Sequence, residues 1–223
     1  MAITPESVQK LLNSPDFGDR IQGLNQLRQL DSSLAFGMIQ PLIRDANPRV
    51  RYAAVSQLDS LGKENLDIAL ELLRDRLYND SEVDVQAAAA DAIGGLKLTA
   101  AFEDLQKYYQ QTSEWLLKFS ILAALGELGD PRGFSLLEAA LTSDNTLIQT
   151  AAISSLGELG DGRAIPLLLP FAENEDWQIR YRLAQSLGHL GTPEIKATLE
   201  KLAEDSVAQV AEEAKHSLTR LGF

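Results

Sequence analysis

Two tryptophans, five tyrosines and a few arginines close to them are the side chains of this 223-residue sequence best suited to gripping a ligand. Trp115 stands near Lys118 and Phe119, Trp177 near Arg180, Tyr181 and Arg182, and Tyr52 near Arg49. Flat aromatic faces beside cationic groups suit a conjugated, carboxylate-bearing ligand or an acidic patch on a protein. Catalytic chemistry has far less to work with. Cysteine is absent, which excludes a thiol nucleophile, a thiolate zinc site and any group attached through sulfur. The only histidines, His189 and His216, sit in unrelated contexts and no His-Glu pair occurs. A catalytic metal takes about three protein ligands, so no metal site is expected. No residue presents itself as catalytic, and the balance leans against an enzyme.

Charge narrows the partners. A net charge of -12 gives no cationic surface with which to displace counterions from phosphates, so nucleic acid is not an expected partner. The opening Met1-Ala2-Ile3-Thr4-Pro5-Glu6 has neither a basic segment nor an apolar core, and no apolar stretch approaches the ~20 residues of a membrane span. Membrane insertion is not expected, and the expected location is the cytoplasm.

The elements that must position these side chains come from a repeated phrase. It reads VRYAAVSQLDSLG from Val50, VQAAAADAIGGLK from Val85, LKFSILAALGELG from Leu117, IQTAAISSLGELG from Ile148, IRYRLAQSLGHLG from Ile179 and VAEEAKHSLTRLG from Val210, with a weaker copy from Asp19. Its ninth residues, Leu27, Leu58, Ile93, Leu125, Leu156, Leu187 and Leu218, follow one another at spacings of 31, 35, 32, 31, 31 and 31. Apolar or small residues at three-and-four spacing, such as Ile148, Ala151, Ala152, Leu156 and Leu159, predict one buried helix stripe per phrase. Asp16, Asn47, Asn145 and Asp176 share the N-cap column. Gly62, Gly129, Gly160, Gly191 and Gly222 share the closing column, where a left-handed residue ends a helix without strain, and each Gly-x-x-Gly reads as a repeat terminator, not a phosphate loop. A preceding helix fits in each unit, for example Pro131 to Leu141, Arg163 to Ala172 and Pro193 to Ala203.

The expected fold is therefore all-α, a right-handed α-solenoid of about seven helical hairpins in a single domain spanning 1–223. Its units run approximately 1–31, 32–62, 63–97, 98–129, 130–160, 161–191 and 192–223. The longer third unit reads as a bulged turn near Tyr78-Asn79-Asp80-Ser81, and Asp31, where a closing Gly is due, as an end cap of the array.

Once the apolar columns are assigned to the core, the rest of each second helix forms one face, normally the concave one. The third column of the phrase reads Ile21, Tyr52, Ala87, Phe119, Thr150, Tyr181 and Glu212; two residues before the phrase stand Phe17, Pro48, Val83, Trp115, Thr146, Trp177 and Ala208. The candidate binding residues are thus Arg49, Tyr52, Trp115, Phe119, Trp177, Tyr181 and Arg182. Aromatics at a helix start commonly pack between repeats, so the weight for Trp115 and Trp177 lies on the core; Tyr52, Phe119 and Tyr181 should face outward. Arg20, Arg51 and Arg180 share a column suited to a ladder with Asp16, Asp45 or Asp176, which leaves Arg49 and Arg182 for function.

The phrases from Val50 and Ile179, with Leu-Gly-Glu-Leu-Gly-Asp-Pro-Arg from Leu125, resemble the HEAT-like repeats of the phycobilisome bilin-lyase group of cyanobacteria, over nearly the whole chain. The opening Thr4-Pro5-Glu6-Ser7-Val8-Gln9 and Asp16-Phe17-Gly18-Asp19-Arg20 are similar to its non-bleaching type of phycobilisome degradation protein. That resemblance implies phycobiliprotein partners, phycocyanin or allophycocyanin subunits, during antenna dismantling under nutrient starvation. It requires no cofactor; a linear tetrapyrrole (bilin) would be held noncovalently for want of Cys. The alternatives are a lyase-like enzyme acting on the chromophore thioether and a generic protein–protein adaptor. Homo-oligomers through the exposed ends of the array, where Leu221 and Phe223 lie, also remain open.

Overall fold

The structure, a computed structural model, describes residues 2–223; Met1, the first residue of the expected first unit, lies outside the described residues. It is all-helical. Two compact units, Met1–Ile121 and Leu122–Phe223, are described in turn.

In the first unit, helices α1 (Pro5–Leu12), α3 (Ser32–Ile39), α5 (Leu66–Asn79) and α7 (Phe102–Gln111) alternate with α2 (Phe17–Leu27), α4 (Pro48–Leu61), α6 (Val83–Gly95) and the start of α8 (Trp115–Leu128). The second unit holds the end of α8 and then α9 (Phe134–Ala140), α10 (Thr146–Leu159), α11 (Ile165–Leu168), α12 (Trp177–Leu190), α13 (Lys196–Leu202) and α14 (Ala208–Leu221). The even-numbered helices carry the repeated phrase. Apart from α5 the first helices are shorter, and α9, α11 and α13 are led in by the tight 3-10 turns Pro131–Gly133, Gly162–Ala164 and Pro193–Ile195. Leu27, Leu58, Ile93, Leu125, Leu156 and Leu187 are fully buried, as the anchor column requires, while Leu218 in the last repeat is half-buried.

Local chemistry sets the helix ends. Asp16, Asn47, Asn145 and Asp176 all accept hydrogen bonds from the first free N–H groups of their helices, as their column predicted. Gly129, Gly160, Gly191 and Gly222 take φ of 68°, 71°, 65° and 74°, the left-handed region. Gly62 departs from that column: its φ is -63°, and its use is space, since a Cβ there would meet Leu96 at 2.7 Å and Ala69 at 2.9 Å. Two further expectations are corrected. The additional length of the third unit extends α5 to 14 residues, with no bulge at Tyr78 to Ser81. Asp31 caps the start of α3, accepting from the N–H groups of Ser33 and Leu34.

The Gly-x-x-Gly motifs also do more than terminate. Only the second glycine closes the helix. The first sits at backbone contact with the next phrase helix: a Cβ on Gly126 would lie 2.7 Å from Ser155 Cα, and one on Gly157 would lie 2.6 Å from Ser186 Cα. On Gly188 it would meet the side chains of Ser217 and Arg220. Ser186 and Ser217 keep their hydroxyls satisfied by donating to Ile153 O and Ala184 O of the preceding phrase helix, at 2.9 and 3.2 Å.

A ladder of arginines secures the other end of the phrase. Arg20 pairs with Asp45, Arg51 with Asp80 and Arg180 with Asp205, each at 2.6 to 2.8 Å. The Asp belongs to the following repeat, two residues before its cap position, so of the pairings expected only Arg20 with Asp45 forms. Each Arg also ties down its own lead-in turn: Arg51 donates to Asp45 O at 3.0 Å and Arg180 to Asn174 O at 2.7 Å. The enclosed member is Asp80, whose side chain has 0% exposure and receives Arg76 as well. Burial pushes its carboxyl up, but hydrogen bonding and charge from Arg51 and Arg76 outweigh that and leave it below the ordinary range. Hydrogen bonding from Asn79, with Arg76 and Arg44, brings Asp75 to about 2.

Replacing Asp80 by Ala leaves Arg51 without its carboxylate and Arg76 with Asp75 alone, so Asp80→Ala should lose about 3 kcal/mol in urea unfolding. Arg163→Ala, which breaks an exposed pair with Asp161, should change stability by no more than about 0.5 kcal/mol. Carboxyls held below their unfolded pKa stabilise above about pH 4, and that contribution drains as pH falls through the folded values. Unfolding followed from about pH 4 to 2 should therefore show a shallower loss for Asp80→Ala than for the unaltered chain.

Candidate functional site

The candidate residues fall into two groups, one in each compact unit. In the first unit, α4 places Arg49 and Tyr52 three residues apart on one face, while α6 presents Asp84, Ala87, Ala88 and Asp91 at three-and-four spacing. Together with Leu116 and Ser120 they border a cavity of about 600 Å³. The cavity exists because α6 is small: the aromatic column that reads Tyr52 and Phe119 has Ala87 between them. Tyr52 is 49% exposed at its rim. Asp91 is exposed at the cavity border. Desolvation by the protein around it pushes its carboxyl above the ordinary range, offset in part by a hydrogen bond from Ser120. Nearby on α8, Phe119 is half-buried, and Trp115 is 48% exposed where packing between repeats was expected.

In the second unit, α12 carries the other group. Trp177, at the first turn, is 40% exposed, again projecting where burial was expected. The Arg182 guanidinium lies 5.9 Å from the centre of the Tyr181 ring. Gln185 locks the pair, accepting from Arg182 Nη1 at 2.9 Å and donating to Tyr181 Oη at 3.1 Å. Arg180, one residue before Tyr181, is committed to the ladder. On α10, burial raises the Glu158 carboxyl, which the nearby charges of His189 and Arg182 only partly counter. Among the described residues no group of three His, Cys, Asp or Glu could hold a metal ion, and no helix is long and apolar enough to cross a membrane.

Asp91 and Ser120 were not foreseen. The signal for Asp91 was present in the phrase from Val85, where the run of alanines opens space and Asp91 follows Ala87 by one helical turn. An exposed acid in a chain of charge -12 gave no reason to single it out.

Residues 70–156 and 135–219 match the family described as HEAT repeats. The chain belongs to the HEAT-repeat family. Solved structures superpose on it over nearly its whole length. The complex of CpcE and CpcF of phycocyanin lyase from Nostoc sp. PCC7120 gives a TM-score of 0.67 at 21% identity, over 99% of this chain and 96% of that one. YibA from Escherichia coli gives 0.64 at 15% identity over 98% and 81%. The archaeal HEAT-like repeats protein from Thermococcus onnurineus NA1 gives 0.54 at 14% identity over 100% and 98%. At these identities the likeness establishes the fold. No curated protein matches the sequence significantly.

Because desolvation raises the folded-state pKa of Asp91, the native HEAT array binds that proton more tightly than the unfolded chain and loses stability as pH rises through the raised value. Asp91 is exposed and solvent screens its charge, so Asp91→Asn should melt only slightly above the unaltered protein at pH 7. The gap should close below about pH 4, where both side chains are neutral.

Proposed function

We propose that the chain is a phycobiliprotein-binding HEAT-repeat factor acting in phycobilisome disassembly under nutrient starvation, able to hold a linear tetrapyrrole noncovalently. The observation that carries this reading is the set on α12: the exposed indole of Trp177, the Tyr181 ring, and Arg182 held over that ring. A bilin offers an extended conjugated plane and two propionates. The plane packs on flat aromatic faces, and a propionate takes a guanidinium as its charge-assisted partner. The repeat phrase and the fold shared with the phycocyanin lyase complex support the same direction. The first-unit cavity, with carboxylates from Glu82, Asp84 and Asp91 against Arg49, is a poorer place for a dianion.

One observation favours the alternative of a lyase-like enzyme. Glu158 is an exposed carboxylate on α10 near Arg182, raised by desolvation and lowered in part by the charges of His189 and Arg182, and it is an acid beside the α12 set that such chemistry could use. Incubation with holo-phycocyanin separates the two: covalent chromophore that stays unchanged rejects the enzyme.

Immobilised protein should retain purified phycocyanin or allophycocyanin. Replacing Tyr181 and Arg182 together by Ala should weaken retention about tenfold or more, as loss of an aromatic and arginine anchor does. If the unaltered protein retains neither phycobiliprotein, the reading fails.

A further inference from the structure

The first-unit cavity carries chemistry of the opposite sign from the set on α12. Glu82, Asp84 and Asp91 contribute three carboxylates to its border, and Arg49 is the one cation there. The floor between them is apolar, from Ala87, Ala88 and Leu116, and the exposed face of Tyr52 stands at the rim. We propose that this cavity is a docking site for a partner protein that inserts an arginine flanked by apolar residues.

Each part of such a side chain has a counterpart. The methylene stem lies along the alanines and Leu116. The guanidinium reaches the Asp91 carboxylate, where a bidentate pair forms, and the Tyr52 ring supplies a cation–π face at the mouth. A bare Asp91 carboxylate is disfavoured by its surroundings, and an approaching cation relieves that penalty. Arg49, exposed at the rim, competes with the incoming group for the same carboxylates. At about 600 Å³ the space exceeds one side chain and accommodates a flanking apolar residue as well. This inference is independent of bilin binding, which it places elsewhere or not at all.

The test uses the full chain and two blocked peptides, Ac-ALRLA-amide and the same peptide with citrulline, the neutral isostere, in place of arginine. Amide chemical shifts are followed on titration. The arginine peptide should perturb, saturably, resonances of Tyr52, the Ala87 to Asp91 turn and the Leu116 to Ser120 turn, with the citrulline peptide about tenfold weaker or more. Asp91→Asn should weaken the arginine peptide about tenfold, and Arg49→Ala should strengthen it. Tyr181→Ala, in the other unit, should leave it unchanged. Equal affinity for the two peptides, shifts mapping away from the cavity, or weaker binding by Arg49→Ala would each overturn the proposal. The comparison of peptides needs only the unaltered protein, so it decides the matter even if a variant folds poorly.

Discussion

Successive phrase helices of the second unit touch backbone to backbone, and the surfaces of that unit depend on this contact. Gly126 and Gly157 face the backbone of Ser155 and Ser186 at distances that leave no room for a Cβ, and Gly188 faces the side chains of Ser217 and Arg220. A mid-helix glycine costs about 1 kcal/mol relative to alanine. Here the cost is offset by close packing, with buried serines whose hydroxyls reach the carbonyls of the preceding helix. In the first unit the same column holds Asp59 on α4 and Gly94 on α6, and α6 buries Ala88, Ala89, Ala90 and Ala92 in other columns. In the second unit the small residues hold equivalent faces of neighbouring helices in register and bring their outward columns side by side.

The arginine ladder works on the opposite end of the same helices. By joining each lead-in turn to the Asp of the next, Arg20, Arg51 and Arg180 fix where the first turn of a phrase helix begins. That first turn is where Trp177 projects, and one turn later come Tyr181 and Arg182. The arginines closest to the aromatics in sequence therefore divide by column: Arg51 and Arg180 build the framework, while Arg49 and Arg182 remain on the surface. Surface charge then differs between the two groups. The α12 set is aromatic and cationic, suited to a carboxylate-bearing plane; the α6 cavity is acidic, suited to a cation.

Much of this was legible in the residues. The phrase period gave the helical hairpins, and Asp16, Asn47, Asn145 and Asp176 gave helix starts because capping is local chemistry. Features that depend on a neighbouring repeat were not legible. The first glycine of each Gly-x-x-Gly looked like a terminator because its partner serine lies 29 residues on. Arg51 and Arg180 found their Asp partners in the following unit, not their own. Gly62 shared a column with left-handed glycines yet is right-handed, since its constraint is the side chain of Leu96. The cavity beside Asp91 arises from what α6 lacks, and absent bulk leaves no mark in a one-dimensional pattern.

Thermal unfolding of Gly157→Ala beside Gly37→Ala tests most directly whether backbone contact between phrase helices holds the array together. Gly37 lies within α3, and a Cβ there would have nothing within 4 Å, so alanine should stabilise by about 0.5–1 kcal/mol through helix propensity. At Gly157 the same propensity gain meets the Ser186 backbone, and a net loss of about 1–3 kcal/mol is expected. A stabilised Gly157→Ala would contradict the account.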